Sequence, residues 1–250
     1  MNQKLFNGAI GFGAAIILWF FLMLLANFSP EGSSMQRVFE LLGGSFSGYI
    51  QMLTFAAFFY GMLDIRDKER QINKQDEGFA LNLLPTQDQL VLSPEEVAKI
   101  KLNVLSLEQR GFNYLVASFI KKACTQYRND QSIGETLQVV DSQIDNSKQE
   151  TEGQLEMLRY IIQTISALGF IGTVMGLSMA IGLGHLAKTE EGMKAITKNM
   201  YVAFDTTLVA LLLGLVLTYR YHAYLEKLDV FYSRTKSYII DNLISRIYRA

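Results

Sequence analysis

Two threonines, Thr173 and Thr207, each lie in the middle of an apolar run that is nearly free of charge, on a helical stripe of small residues. Along the first run Ser166, Gly169, Thr173, Gly176 and Ala180 recur at spacings of three and four. Along the second, Ala203, Thr207, Ala210 and Gly214 do the same. Those spacings place residues on one face of a helix. Stripes of glycine and alanine let membrane helices approach closely, and for these residues and the nearby Gly172 packing is one reading and pore lining the other. A single threonine can satisfy its hydroxyl on the carbonyl one turn back. Two at similar depth on neighbouring runs point instead to a hydroxyl-lined path that can hold water or a dehydrated ion.

Asp205 is the one charge in the second of these runs. A carboxylate within a membrane costs about 3 kcal/mol on insertion scales and marks function by default. Its place near the outer end of the run allows partial hydration, which lowers that cost. At about 100° per residue it stands roughly 160° from Thr207. Both side chains cannot then point straight into one narrow lumen, and Asp205 is expected to face a cleft between helices or subunits at the mouth of the path. The plainer alternative is an interfacial helix-capping acid. Thr173, Thr207, Asp205 and the adjoining Thr206 are the candidate ion pathway.

The elements that must position these residues are long apolar helices. Half of the 250 residues are hydrophobic and the net charge is −1, so no basic surface for nucleic acid is present. The single cysteine, Cys124, excludes an intrachain disulfide and a cysteine-cluster metal site, and His185 and His222 stand far apart on different segments. No metal or cofactor is expected. Apolar runs cover Leu5–Phe28, Leu41–Leu63, Tyr160–Leu186 and Met200–Tyr219, each long enough to cross roughly 30 Å of hydrocarbon. The first is too long for the core of a signal peptide, and Asn27-Phe28-Ser29-Pro30 lacks the small-x-small cleavage pattern, so it is expected as a retained helix. The fold class predicted is an all-α membrane protein with four transmembrane helices.

Basic residues set the orientation. Arg66, Lys68, Arg70 and Lys74 follow the second run, Arg159 precedes the third, and Arg220 and Lys227 follow the fourth. The loops 29–40 and 187–199 hold Arg37, Lys188, Lys194 and Lys198, partly offset by Glu31, Glu40, Glu190 and Glu191. Both termini and residues 64–159 are therefore placed in the cytoplasm of a multi-pass protein. The expected division is an N-terminal pair of spans (1–63), a cytoplasmic helical domain (64–159), a channel-forming hairpin (160–219) and a C-terminal cytoplasmic helix (220–250). Ser93-Pro94-Glu95-Glu96 is a strong helix start, with a stop expected at Gly111, and Ser132-Ile133-Gly134-Glu135 fits a second cap. The chain from Glu135 is expected to run straight into the third span, and the fourth span to continue as one long helix beyond Leu215.

Two strings carry a resemblance. Ala167-Leu168-Gly169-Phe170-Ile171-Gly172-Thr173-Val174-Met175-Gly176-Leu177 resembles the "GLLGTVWGI"-like segment of the MotA/TolQ/ExbB proton-channel family, and Ala203-Phe204-Asp205-Thr206-Thr207-Leu208-Val209-Ala210-Leu211 resembles its "ALxTTxxGL"-like final span. The order of parts agrees: a cytoplasmic segment, a two-span hairpin, a helical tail. The resemblance matches Thr173 and Thr207 to the family's two pore threonines. In ExbB- and TolQ-like members a glutamate lies five positions before the second threonine, where this chain has Val202; Asp205, one turn later on nearly the same face, stands as a replacement. Two N-terminal spans look more like MotA, whereas the Gly-Thr-Val-Met-Gly string looks more like TolQ and ExbB.

The resemblance implies a homopentamer in the bacterial inner membrane, enclosing a dimeric, single-span MotB-, TolR- or ExbD-like partner. The partner's membrane aspartate takes up and releases the ion, a proton by default and sodium otherwise, and ion flow drives rotation or force. Such a stator subunit is not an enzyme. The residues agree in one respect: this chain offers small, hydroxyl-bearing walls without a carboxylate at mid-membrane. The competing expectation is a non-conducting membrane scaffold or adaptor whose stripes serve packing alone.

Overall fold

The computed structural model of the chain describes residues 2–30, 32–44, 48–85 and 91–247. Glu31, counted among the loop acids, lies outside them, as do residues 45–47 of the second apolar run and the last three residues of the expected C-terminal helix. Among the described residues the regular structure is helical. The helices are α1 (Asn2–Phe28), α2 (Ser34–Leu41), α3 (Tyr49–Asp76), α4 (Pro94–Gln109), α5 (Leu115–Asp130), α6 (Ile133–Gly153), α7 (Glu156–Gly182) and α8 (Glu190–Asn242). An isolated parallel bridge joins Leu92 to Ile247.

Three helical stretches are long and apolar enough to cross a membrane: Leu5–Phe28, Ile133–Gly182 and Glu190–Arg246. The expected second span, Leu41–Leu63, is not one of them, and the reason is local. Helix α2 ends at Leu41, Gly43 takes up φ +107, and α3 starts only at Tyr49. The apolar part of α3 before Asp64 then reaches about 22 Å at the helical rise, short of the roughly 30 Å of hydrocarbon. Gly43, in the left-handed region, lies at the break.

The chain forms two compact units: residues Met1–Asp67 with Glu156–His222, and Lys68–Leu155 with Ala223–Ala250. In the first unit α1 lies against α3 so closely that a Cβ on Gly11 would stand 2.9 Å from the Tyr60 backbone nitrogen. Asn7 Nδ2 donates to Asp67 Oδ2 at 2.7 Å across the same contact. Ala15, Phe55 and Val209 form a buried cluster that α1, α3 and α8 share. Gly61 of α3 gives room to Leu217 of α8. Large apolar side chains such as Ile17, Phe170, Leu211 and Leu215 remain exposed, a surface of the kind that a bilayer covers.

The second unit is built around α4, α5 and α6, with α5 packed against both others. Val104, Val116, Ile120, Leu228 and Ile239 are fully buried there. The start at Ser93 is a full capping box: Ser93 Oγ accepts from the Glu96 N–H and Glu96 Oε2 accepts from the Ser93 N–H, with Pro94 in the first turn. Helix α4 stops at Gln109, and Gly111 at φ +89 turns the chain, a conformation glycine reaches without steric cost. Ser132 caps α6 by accepting from the Glu135 N–H. The expected run of this helix straight into the third span is interrupted, since α6 ends at Gly153 and α7 begins at Glu156. The lone glycine of the stretch sits at that stop. Helix α8, with no glycine or proline after Gly214, continues unbroken to Asn242 over 53 residues.

Cys124 on α5 is buried, and burial pushes its thiol up to about 12. At pH 8 its thiolate fraction is then about a thousandfold below that of an exposed cysteine. Iodoacetamide is therefore expected to leave the native chain unmodified for hours and to alkylate it within minutes in denaturant, read as a mass shift. Rapid modification of the native protein would place Cys124 outside the α5 core.

Candidate functional site

The stripes on α7 and α8 face each other. A Cβ added to Gly169 would stand 2.5 Å from the Ala210 Cβ, one on Gly172 would stand 2.5 Å from the Thr206 Cβ, and one on Gly176 would stand 2.7 Å from the Ala203 Cβ. The two backbones approach this closely only because those three positions lack side chains. Gly169, Gly172, Gly176, Ala180, Ala203, Ala210 and Gly214 are all buried, whereas Ser166 is exposed near Gly214. Most of the small residues thus meet the demands of helix packing.

Thr173 and Thr207 lie half-buried at this seam, and their hydroxyls are hydrogen-bonded to each other. Each also lies within reach of a carbonyl of the opposite helix, Thr173 Oγ1 at 3.1 Å from Ala203 O and Thr207 Oγ1 at 2.9 Å from Gly169 O. With one proton per hydroxyl, one threonine donates to the other and the second donates to its carbonyl. The carbonyls one turn back lie farther away, at 3.4 Å in both cases. The hydroxyls are therefore engaged between helices, and the retained carbonyls and paired hydroxyls form a compact cluster of oxygens. Thr206 touches this cluster only at its Ala203 carbonyl. It is buried against Gly172, and its hydroxyl donates to Ala203 O at 3.0 Å.

Asp205 turns away from the threonines, as its angular position requires, and meets a residue 168 positions earlier. Arg37 of α2 donates through Nη1 to Asp205 Oδ2 and through Nη2 to Oδ1, each at 2.7 Å. The Arg37 guanidinium also lies 4.2 Å from the centre of the Tyr201 ring. The Asp205 side chain is 8 % exposed and that of Arg37 37 %. A bidentate fork between planar groups is the strongest form of such a pair. Beside it is a cavity of about 30 Å³, lined in part by Gln51, Tyr201, Val202 and Asp205, with room for a water molecule. Gln51 is buried, and its Oε1 has no hydrogen-bond partner among the described residues. Val202 and Asp205 thus line one space, as two residues a turn apart on one face should.

Sequence reasoning tallied Arg37 only as a loop charge, read Gln51 only as a polar break in the second apolar run, and passed over Tyr201. The signal for Arg37 was present: an unmatched cation just before an apolar run and an unmatched acid within another call for each other. Among the described residues no group of three or more histidine, cysteine, aspartate or glutamate side chains is gathered as a metal site.

Residues 113–236 match the family model described as the MotA/TolQ/ExbB proton channel family. The match includes Thr173, Thr206, Thr207 and Asp205 and leaves out Arg37. No curated protein and no solved structure matches the chain. Through the domain over residues 113–236, with its threonine pair on the α7–α8 seam, the chain is a member of the MotA/TolQ/ExbB proton channel family.

Proposed function

We propose that this chain is the ion-channel subunit of a stator-type motor, converting proton-motive force into mechanical work. One observation carries the reading: two threonine hydroxyls and two carbonyls converge on the edge of the α7–α8 seam, half-open to whatever lies beside it. Such oxygens can replace part of an ion's hydration shell or hold the water that relays a proton. Among the described residues no free carboxylate stands beside them, since Asp205 is engaged by Arg37. The acid that binds and releases the ion is therefore assigned to a partner, a dimeric single-span protein of the MotB, TolR or ExbD kind. Five copies of the chain enclose it in the bacterial inner membrane, with both termini in the cytoplasm. Helix α3 serves as a fourth, shorter span, and α2 lies at the outer interface. The ion is a proton, with sodium as the alternative.

The test is purification of the chain with its membrane partner and measurement of ion flux in vesicles. Thr173→Val and Thr207→Val are each expected to lower flux about 10- to 100-fold, the worth of a hydroxyl contact to a charged species. Both changes should leave the assembly intact. Wild-type flux in both variants would remove the threonines from the pathway. The second reading, a non-conducting scaffold, is favoured by the burial of nearly all the small residues in the helix contact. It requires no flux in any assembly and tolerance of both valines.

A further inference from the structure

The first unit holds a second cavity, larger and distinct from the threonine cluster. It has a volume of about 450 Å³ and lies between the end of α1, helix α2 and Lys198 of α8. That size falls in the range of about 300–1,000 Å³ that takes small ligands. One wall is apolar, from Phe20, Met23, Leu24 and Phe28 of α1, and the polar lining comes from Asn27, Gln36 and the charged pair Glu40 and Lys198. Phe20, Leu24 and Phe28 stay exposed along this side of a helix apolar enough to cross a membrane. Helix α2 has its own exposed apolar residues, Met35 and Val38, beside polar Gln36 and Glu40, the composition of a helix that rests in a membrane interface.

The two charges on the polar wall are not spent elsewhere. Neither Glu40 nor Lys198 is in an ion pair among the described residues, whereas the neighbouring Arg37 and Asp205 satisfy each other. A ligand that fits must then bring an apolar tail for α1, an anion for Lys198 and a cation for Glu40. We propose that this cavity binds one phospholipid with an ammonium-bearing, zwitterionic headgroup. Its phosphate sits at Lys198, its ammonium at Glu40, and an acyl chain lies along Phe20, Met23, Leu24 and Phe28. Charge complementarity selects this occupant over an anionic lipid, whose headgroup leaves Glu40 unmatched, and the apolar wall of α1 selects it over a purely polar ligand. The site is independent of the ion-pathway reading.

The experiment uses the full chain in detergent, titrated with phosphatidylethanolamine or phosphatidylglycerol and followed by native mass spectrometry. Wild type is expected to retain one phosphatidylethanolamine per chain in preference to phosphatidylglycerol. Lys198→Ala should weaken retention of both lipids about fivefold, the worth of one basic contact at a membrane surface. Glu40→Gln should reverse the preference, since it removes the ammonium's partner and the repulsion felt by an anionic head. Both residues lie at the cavity wall and outside the buried core, and an unchanged unfolding temperature confirms that the variants fold. Equal retention of the two lipids, unaltered by either substitution, would overturn the proposal and leave a non-selective lipid annulus. Loss of self-association in Leu24→Trp with no lipid retained by wild type would also overturn it, and assign the cavity to a neighbouring copy.

Discussion

Arg37→Ala is expected to destabilise the protein in detergent by about 2–4 kcal/mol, somewhat below the about 3–5 kcal/mol seen when a fully buried pair loses one partner. The discount reflects the 37 % exposure of the Arg37 side chain. The loss arises because Asp205, 8 % exposed, keeps a charge with no counterion. Asp205→Asn should cost less, since the arginine it abandons can reach water and still lies over Tyr201. Arg37→Lys should recover only part of the loss, because an ammonium cannot make the two-pronged contact. Replacing both partners, Arg37→Met with Asp205→Leu, is expected to regain most of the stability. Denaturant unfolding of the four variants measures this order. An Arg37→Ala protein within about 0.5 kcal/mol of wild type, the scatter of ordinary surface changes, would show that the pair does not hold α2 to α8.

The second large effect concerns the α7–α8 seam. Gly169→Ala places a methyl group 2.5 Å from the Ala210 Cβ, so the helices must separate, at a cost of about 1–3 kcal/mol for overpacking. The same separation lengthens the bond from Thr207 Oγ1 to Gly169 O, now 2.9 Å, and the flux measured in vesicles should fall with it. Ala210→Gly alone should cost about 1 kcal/mol through helix propensity. Combined, the two changes restore the space, and the double variant should be more stable than Gly169→Ala by itself. This sign reversal is the test, because it cannot arise from two independent losses. Additive losses would mean that Gly169 and Ala210 do not touch.

Much of the candidate site was legible because helical geometry is local. Spacings of three and four predicted that Gly169, Thr173 and Gly176 share a face with one another, and the same periodicity aligned Ala203, Thr207 and Ala210. The opposing angular positions of Asp205 and Thr207 also followed from the helix repeat. The partner of Asp205 did not follow, since the contact with Arg37 joins residues 168 positions apart and depends on how α2 folds back. The division of the second apolar run was missed for a different reason. The run was read from its apolar content alone, which Gly43 and Gly44 do not interrupt, whereas the φ of +107 at Gly43 turns the chain there. Likewise Gly153 looked tolerable inside one helix, although α6 stops there.

The tightness of the seam has a consequence for where a hydrated ion can travel. A methyl group does not fit between α7 and α8 at Gly169, Gly172 or Gly176, so neither does an ion carrying its water. On the proposed reading the route for the ion therefore lies beside the seam rather than through it, and a second polypeptide must complete its wall.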